Sequence, residues 1–285
     1  MIQSMTGYGK SIVQLPAKKI TVELKSLNSK NLDINARVPG AYREKELILR
    51  NRISKSLVRG KVDFNLFVEI TGEATNTEVN ETVVKQYIKQ LKKVVDGDET
   101  ELLKMAVRMP DALKTERDEI DEEEFNKILE ALDTALAATK DYRKDEGRSL
   151  EAEFKLRINN ILQLLKEVEA IDPQRIELLR EKLRKAVSEL KESVDENRFE
   201  QELIYYLEKY DITEEKVRLK KHLEYFQETL AQPISNGKKL GFISQEIGRE
   251  INTIGSKANF APMQQVVVQM KDELEKIKEQ ALNVL

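Results

Sequence analysis

The chain of 285 residues has no cysteine, no tryptophan and a single histidine, His222. Without cysteine there are no disulfides, no thiolate metal sites and no cysteine nucleophiles, and the absence fits a reducing cytoplasm. With one imidazole, any metal site must be built mostly from oxygen ligands, which favours Mg²⁺ or Mn²⁺ over Zn²⁺. No apolar run approaches the roughly 20 residues of a membrane span, so no membrane partner is expected. The opening MIQSMTGYGK has neither a basic n-region nor an apolar h-region and does not read as a secretory signal. A Ser-His-Asp arrangement, a P-loop and a dinucleotide fingerprint are also missing. What remains is a chain 35% charged and 40% hydrophobic, the balance of a soluble globular protein with one large or two modest domains.

The net charge of −3 hides an asymmetry. Residues 1–62 hold 13 Lys/Arg against 4 Asp/Glu, a net of +9, which leaves −12 for the rest. The run LILRNRISKSLVRGKV, 47–62, contains Arg50, Arg52, Lys55, Arg59 and Lys61 and no acid. Such segregation points to a polyanion-binding face on one part of the chain, or to a solvated helix face balanced by acids elsewhere in the fold.

Hydrophobic periodicity predicts an α+β class. Ile20, Val22 and Leu24 alternate with polar residues, as do Leu32, Ile34, Ala36 and Val38, and again Val62, Phe64, Leu66, Val68 and Ile70. These are strands with one wet face in an N-terminal antiparallel sheet. Leu27 to Lys30 reads as a hairpin turn, and a helix runs from about Tyr42 to Gly60. Asn80 is a plausible helix N-cap. Helices are then expected at about 99–108, 122–145, 149–170, 174–208, 213–231, 240–257 and 263–284, with Asp172-Pro173 as a break. The resulting organisation is an α+β domain over 1–120, a long helical hairpin over 121–195 and an all-α C-terminal domain over 196–285.

Three stretches can carry chemistry. In MTGYGK, 5–10, two glycines flank Tyr8, which suits a phosphate cradle or a strand-entry bulge. In DITEEKVRLKKHLEYF, 211–226, with Thr213 as the expected N-cap, Glu215, Arg218 and His222 fall on one helix face, where they can bind metal, hold phosphate or move a proton, or form a salt-bridged surface. In GFISQEIGREINTIGSK, 241–257, Ile243, Ile247, Ile251 and Ile254 form an apolar seam. Glu246 and Glu250 stack at its edge, either to ligate a divalent cation or to pair with Arg and Lys from a neighbouring helix. Asn252, Ser256, Lys257 and Asn259 are hydrogen-bonders of the kind that grip phosphate and ribose.

The motifs SMTGYG, LNSKNLDINARVP and RGKVDFNL, and the sharper C-terminal ones DITEE..RLKKHLEYF, GKKLGFISQEIGREINTIGSKAN and K..LEKIKEQALNV, resemble the bacterial YicC/YloC family. The likeness spans both ends of the chain; 75–195 carries no distinctive motif. It implies a cytoplasmic, metal-dependent endoribonuclease that acts on single-stranded or small RNA and assembles as a homohexamer. A role in small-RNA turnover beside an exoribonuclease partner is also implied. Gly241 and Gly248 replace other residues usual in the family, and the ending KEQALNVL departs from it. On this reading Glu246, Glu250, Glu215 and His222 are the candidate Mn²⁺ or Mg²⁺ ligands, and His222, Glu246, Glu250 and Arg249 the catalytic candidates. RNA is expected to meet Lys30, Arg50, Arg52, Arg59 and Lys61, together with Arg218, Asn252, Lys257 and Tyr8. The sequence does not choose between attack by water and attack by the RNA's own 2′-OH. The alternative is a non-catalytic adaptor that presents small RNAs to an exoribonuclease, with the glutamates structural.

Overall fold

A computed structural model describes residues 2–71, 77–115, 121–188 and 196–285. Four strands open the chain: β1 (Gly7–Gln14), β2 (Lys18–Leu27), β3 (Leu32–Arg37) and β4 (Gly60–Ile70). Helix α1 (Glu46–Ser56) connects β3 to β4. The sheet order is β1-β2-β4-β3. The alternation read from the sequence holds through β2 and most of β4, where Ile20, Val22, Leu24, Val62, Phe64 and Leu66 are all buried, while Leu32, Ile34, Ala36 and Val68 are only half-buried and Ile70, at the end of β4, is exposed.

One expectation changes. The chain reverses after Leu27, but β2 and β3 do not pair, because β4 lies between them, antiparallel to β2 and parallel to β3. The sheet is therefore mixed. The long β4 has alternating buried residues along its length and a full complement of backbone groups for both neighbours, and the α1 crossover returns the chain in the direction that a parallel pair needs.

A small unit follows, made of β5 (Thr77–Val79), α2 (Glu81–Lys92), α3 (Glu99–Ala106) and β6 (Leu113–Thr115). Asn80 caps α2 as expected, its side chain accepting from Val83 N–H at 3.4 Å.

Helix α4 then runs unbroken from Glu122 to Ser188. The expected breaks near 146–148 and at Pro173 do not occur. Gly147 lies inside the helix where the backbone of Ile2 crosses it, so closely that a Cβ there would lie 2.1 Å from the Ile2 carbonyl oxygen. Pro173 costs the helix one backbone bond, but buried Asp172 beside it bonds Arg175 of the same helix and Lys216 of the helix that begins at Thr213, each at 2.7 Å. Of the helix expected at 174–208, residues 189–195 lie outside the described residues. Helix α5 (Glu196–Lys209) takes its second part.

The remainder is α6 (Thr213–Leu230), α7 (Gly237–Lys257) and α8 (Ala261–Ala281). Thr213 is the first residue of α6 and not its N-cap, a position that Ile212 takes without a side-chain bond; Asp211 just before it accepts from Thr213 N–H and Oγ1 at 3.1 and 2.7 Å. All four isoleucines of the α7 seam are buried. The interior glycine Gly248 has its reason here: a Cβ would stand 3.2 Å from Leu274, so glycine lets α8 close on α7.

α4 serves two cores. Its Phe125, Ile128, Leu132, Ala135 and Leu136 cover the sheet together with Leu49 and Ile53 of α1. Further along, Phe154, Ile158, Ile161, Leu165 and Val168 join α6, α7 and α8. Residues 2–6 strap the two together. Ile2 plugs into the helical core, and Ser4 bridges Val284. Buried Arg143 donates to the carbonyls of Met5 and Arg59 and to Ser26, without a carboxylate among the described residues. Burial lowers the pKa of its guanidinium.

Candidate functional site

MTGYGK is neither a phosphate cradle nor a bulge. Gly7 and Gly9 lie inside β1 in regular register with Ser26 and Leu24. A Cβ at Gly9 would sit 2.0 Å from the Ala135 carbonyl oxygen, so the glycine serves the close crossing of α4 over β1. Tyr8 points to the opposite, open face of the sheet, and partial desolvation, with Glu23 as hydrogen-bond partner, raises its hydroxyl pKa.

The chemistry-bearing faces of α6 and α7 do meet. The two helices are joined by a short connection, and at their far end Lys257 Nζ lies 2.7 Å from Glu215 Oε1 and 2.8 Å from the Asp211 carbonyl oxygen. The pair is therefore antiparallel, and its register follows. Seven residues, two helical turns, from that contact in each helix bring His222 level with Glu250. One turn further, Glu246 is level with Phe226. Glu250 is 8% exposed and carries no hydrogen bond or ion pair among the described residues, and His222 is half-buried and likewise without one.

The other candidates are engaged. Glu215 is 6% exposed; Lys257 holds one of its oxygens and Oε2 is buried without a partner. Glu246 pairs with Arg249 at 2.7 Å in an exposed position. Arg218 pairs with Glu214, and Asn252 is exposed. Glu215 and His222 stand two turns apart, about 10 Å along α6. The expected four-ligand set thus does not converge: among the described residues no three His, Asp or Glu groups gather closely enough to hold a metal ion. What the donors do fit is an open site. A hard divalent cation takes one or two carboxylates and completes its shell with water and substrate phosphate, and Glu250 is a buried carboxylate without a cation.

The basic N-terminal residues are spread around the sheet. Arg50 bonds Glu46 and the Ile34 carbonyl. Arg52 is held bidentately by Asp133 of α4, and this bond lowers the pKa of the Asp133 carboxyl. Arg59 reaches the Met5 sulfur and the Val284 carbonyl. Lys30 and Lys61 are exposed. A groove of about 370 Å³ between α1 and α4, lined by Arg52, Lys55, Ser56, Asp133, Leu136, Ala137 and Lys140, was not expected as a site. Its only trace in the sequence is the acid-free run that contains Lys55; Lys140 comes from a distant helix. No described helix is long and apolar enough to cross a membrane.

These features define an α+β protein in which an N-terminal sheet and a C-terminal helical bundle share one long helix. The chain belongs to the endoribonuclease YicC-like family. The description "Endoribonuclease YicC-like, N-terminal region" matches residues 2–152, and "Endoribonuclease YicC-like, C-terminal" matches 168–285. A probable endoribonuclease YicC of Clostridioides difficile (strain 630) is 35% identical over the full length of both chains. A protein of the same name from Haemophilus influenzae (strain ATCC 51907 / DSM 11121 / KW20 / Rd) is 28% identical, again over the full length of both.

Proposed function

We propose that this chain is an endoribonuclease that hydrolyses phosphodiester bonds of single-stranded or small RNA with Mn²⁺ or Mg²⁺. The names of its full-length relatives support the activity. The observation that carries the site is Glu250, buried and without a cation among the described residues, two turns from the Lys257–Glu215 contact along α7 as His222 is along α6. Glu250 and Glu246 would hold the divalent ion, with RNA phosphate oxygens filling the rest of its shell. When bound, the ion supplies an activated water and neutralises charge on the cleaved phosphate. His222, an imidazole that can both take up and release a proton, moves a proton at the reacting oxygen. Arg249 and Arg218, on the exposed surface of α7 and α6, offset phosphate charge. Glu215 belongs with Lys257 in support of the helix pair and is not needed as a ligand. Hexameric assembly, a cytoplasmic location and work beside an exoribonuclease complete the reading on the strength of the family resemblance.

A second reading is favoured by one observation: two of the three glutamates, Glu215 and Glu246, already have cation partners. On that reading the chain is an RNA-presenting adaptor and the acids hold helices together.

One experiment separates the two. Labelled single-stranded RNA is incubated with the purified protein in Mn²⁺, in Mg²⁺ and in EDTA, with Glu250→Gln in parallel. The nuclease reading expects cleavage that needs metal and is lost in the variant while binding survives. Binding by both proteins with no cleavage under any metal leaves the adaptor.

A further inference from the structure

Some of the exposed cations among the described residues are neutralised locally. Lys85, Lys104, Lys127, Lys144, Arg148, Lys155 and Lys276 each pair with an acid three or four residues away on their own helix. A strand of phosphates gains little from such pairs, because each must first be broken or repelled.

The groove between α1 and α4 is different. Lys55, on the last turn of α1, and Lys140, on α4, line the same cleft from its two walls. Both are exposed, and neither has an acidic partner among the described residues. Ser56 adds a hydroxyl to the same lining, whose one acid, Asp133, is occupied by Arg52. Converging uncompensated cations with a hydroxyl donor in an open cleft form a seat for an anion with several oxygens.

We propose that this groove seats a backbone phosphate of single-stranded RNA, gripped by Lys55 and Lys140 and hydrogen-bonded by Ser56. The inference rests on the RNA reading above and extends it to a second, remote contact. On α4, the pairs Asn159–Gln227 and Asp172–Lys216 bracket the level of His222. Lys140 is therefore at least 19 helical residues, about 28 Å, from that level. The groove does not touch the reacting bond. It anchors a distant part of the strand and contributes affinity without reading sequence.

The test is RNA-binding anisotropy across a salt series with the full chain, using wild type, the Lys55→Gln/Lys140→Gln double variant and Asp133→Asn. The double variant removes only exposed, unpartnered charges, so its Tm should equal that of wild type. It should bind about tenfold more weakly at low salt, with a log K against log [salt] slope shallower by about 0.7 for each phosphate released. Asp133→Asn frees Arg52 into the groove and should tighten binding and steepen the slope. If wild type binds RNA and both variants bind it with the same affinity and slope, the groove is no phosphate seat, though the RNA reading survives. If wild type does not bind RNA, the RNA reading falls and this inference with it.

Discussion

Lys257 of α7 and Glu215 of α6 form a 2.7 Å ion pair whose acidic partner is almost wholly buried, and this one contact sets the register that brings His222 level with Glu250. It also changes what Lys257 is for: on the sequence it reads as a phosphate contact, in the fold it is the mate of a buried acid.

Lys257→Gln should therefore act mainly on stability. It leaves a buried carboxylate with neither oxygen paired to a charge, at a cost of roughly 2–4 kcal/mol, below the top of the range for buried pairs because Lys257 is itself partly exposed. Urea unfolding measures this. A variant as stable as wild type but weak in RNA binding would return Lys257 to the RNA surface.

Glu250→Gln should behave in the opposite way. Glu250 makes no hydrogen bond or ion pair among the described residues, so replacing its carboxylate by the isosteric amide is expected to leave Tm unchanged. Thermal unfolding of the variant beside the cleavage assay checks both halves. A marked fall in Tm would mean that Glu250 has a structural partner.

Gly9→Ala should be among the most damaging single-methyl additions in the chain. The new Cβ would meet backbone, the Ala135 carbonyl oxygen at 2.0 Å, rather than a side chain able to swing away. Overpacking of this kind costs about 3 kcal/mol or more. The expected signature in thermal melts is a lower Tm with RNA chemistry intact in whatever fraction stays folded.

Acid should loosen α8 from α4 through Glu273. Desolvation pushes its carboxyl up, but Lys276, Asn160 and Arg157 together outweigh that and leave its pKa lowered. A carboxylate depressed in the folded state stabilises fully above its unfolded pKa, and the contribution is lost as pH falls through the folded value. Wild type should therefore lose stability on acidification below the ordinary glutamate range. Glu273→Gln should be about 1–2 kcal/mol less stable at neutral pH and show a flatter decline in acid, as read by urea midpoints over a pH series. Equal pH slopes for the two proteins would contradict this.

The sequence carried the local structure well and the assembly of distant parts poorly. Alternation in Ile20, Val22 and Leu24, and the four-isoleucine seam of α7, each report burial on one face, and burial is what periodicity encodes. The insertion of β4 between β2 and β3 is a choice among partners, and nothing in the residues 28–31 records it. α4 continues through Gly147 and Pro173 where it meets Ile2 and Lys216, which lie far away in sequence. The candidate site divides in the same way. The shared face of Glu215, Arg218 and His222 is helix spacing and was legible. That Glu215 already has a partner 42 residues on, while Glu250 has none, is tertiary and was not.

The long helix has one further consequence, which concerns phase. Because α4 packs on the sheet through Phe125 to Leu136 and on the helical core through Phe154 to Val168, the angular setting of one core is transmitted to the other along a single screw. One residue inserted between Lys144 and Leu150 would turn the helical core by about 100° and advance it about 1.5 Å relative to the sheet, tearing the strap at Ile2 and Ser4. Seven residues would nearly restore the angle while parting the cores by about 10 Å. The length of that stretch is thus tuned in turns of helix, and changes in it count by their remainder rather than by their size.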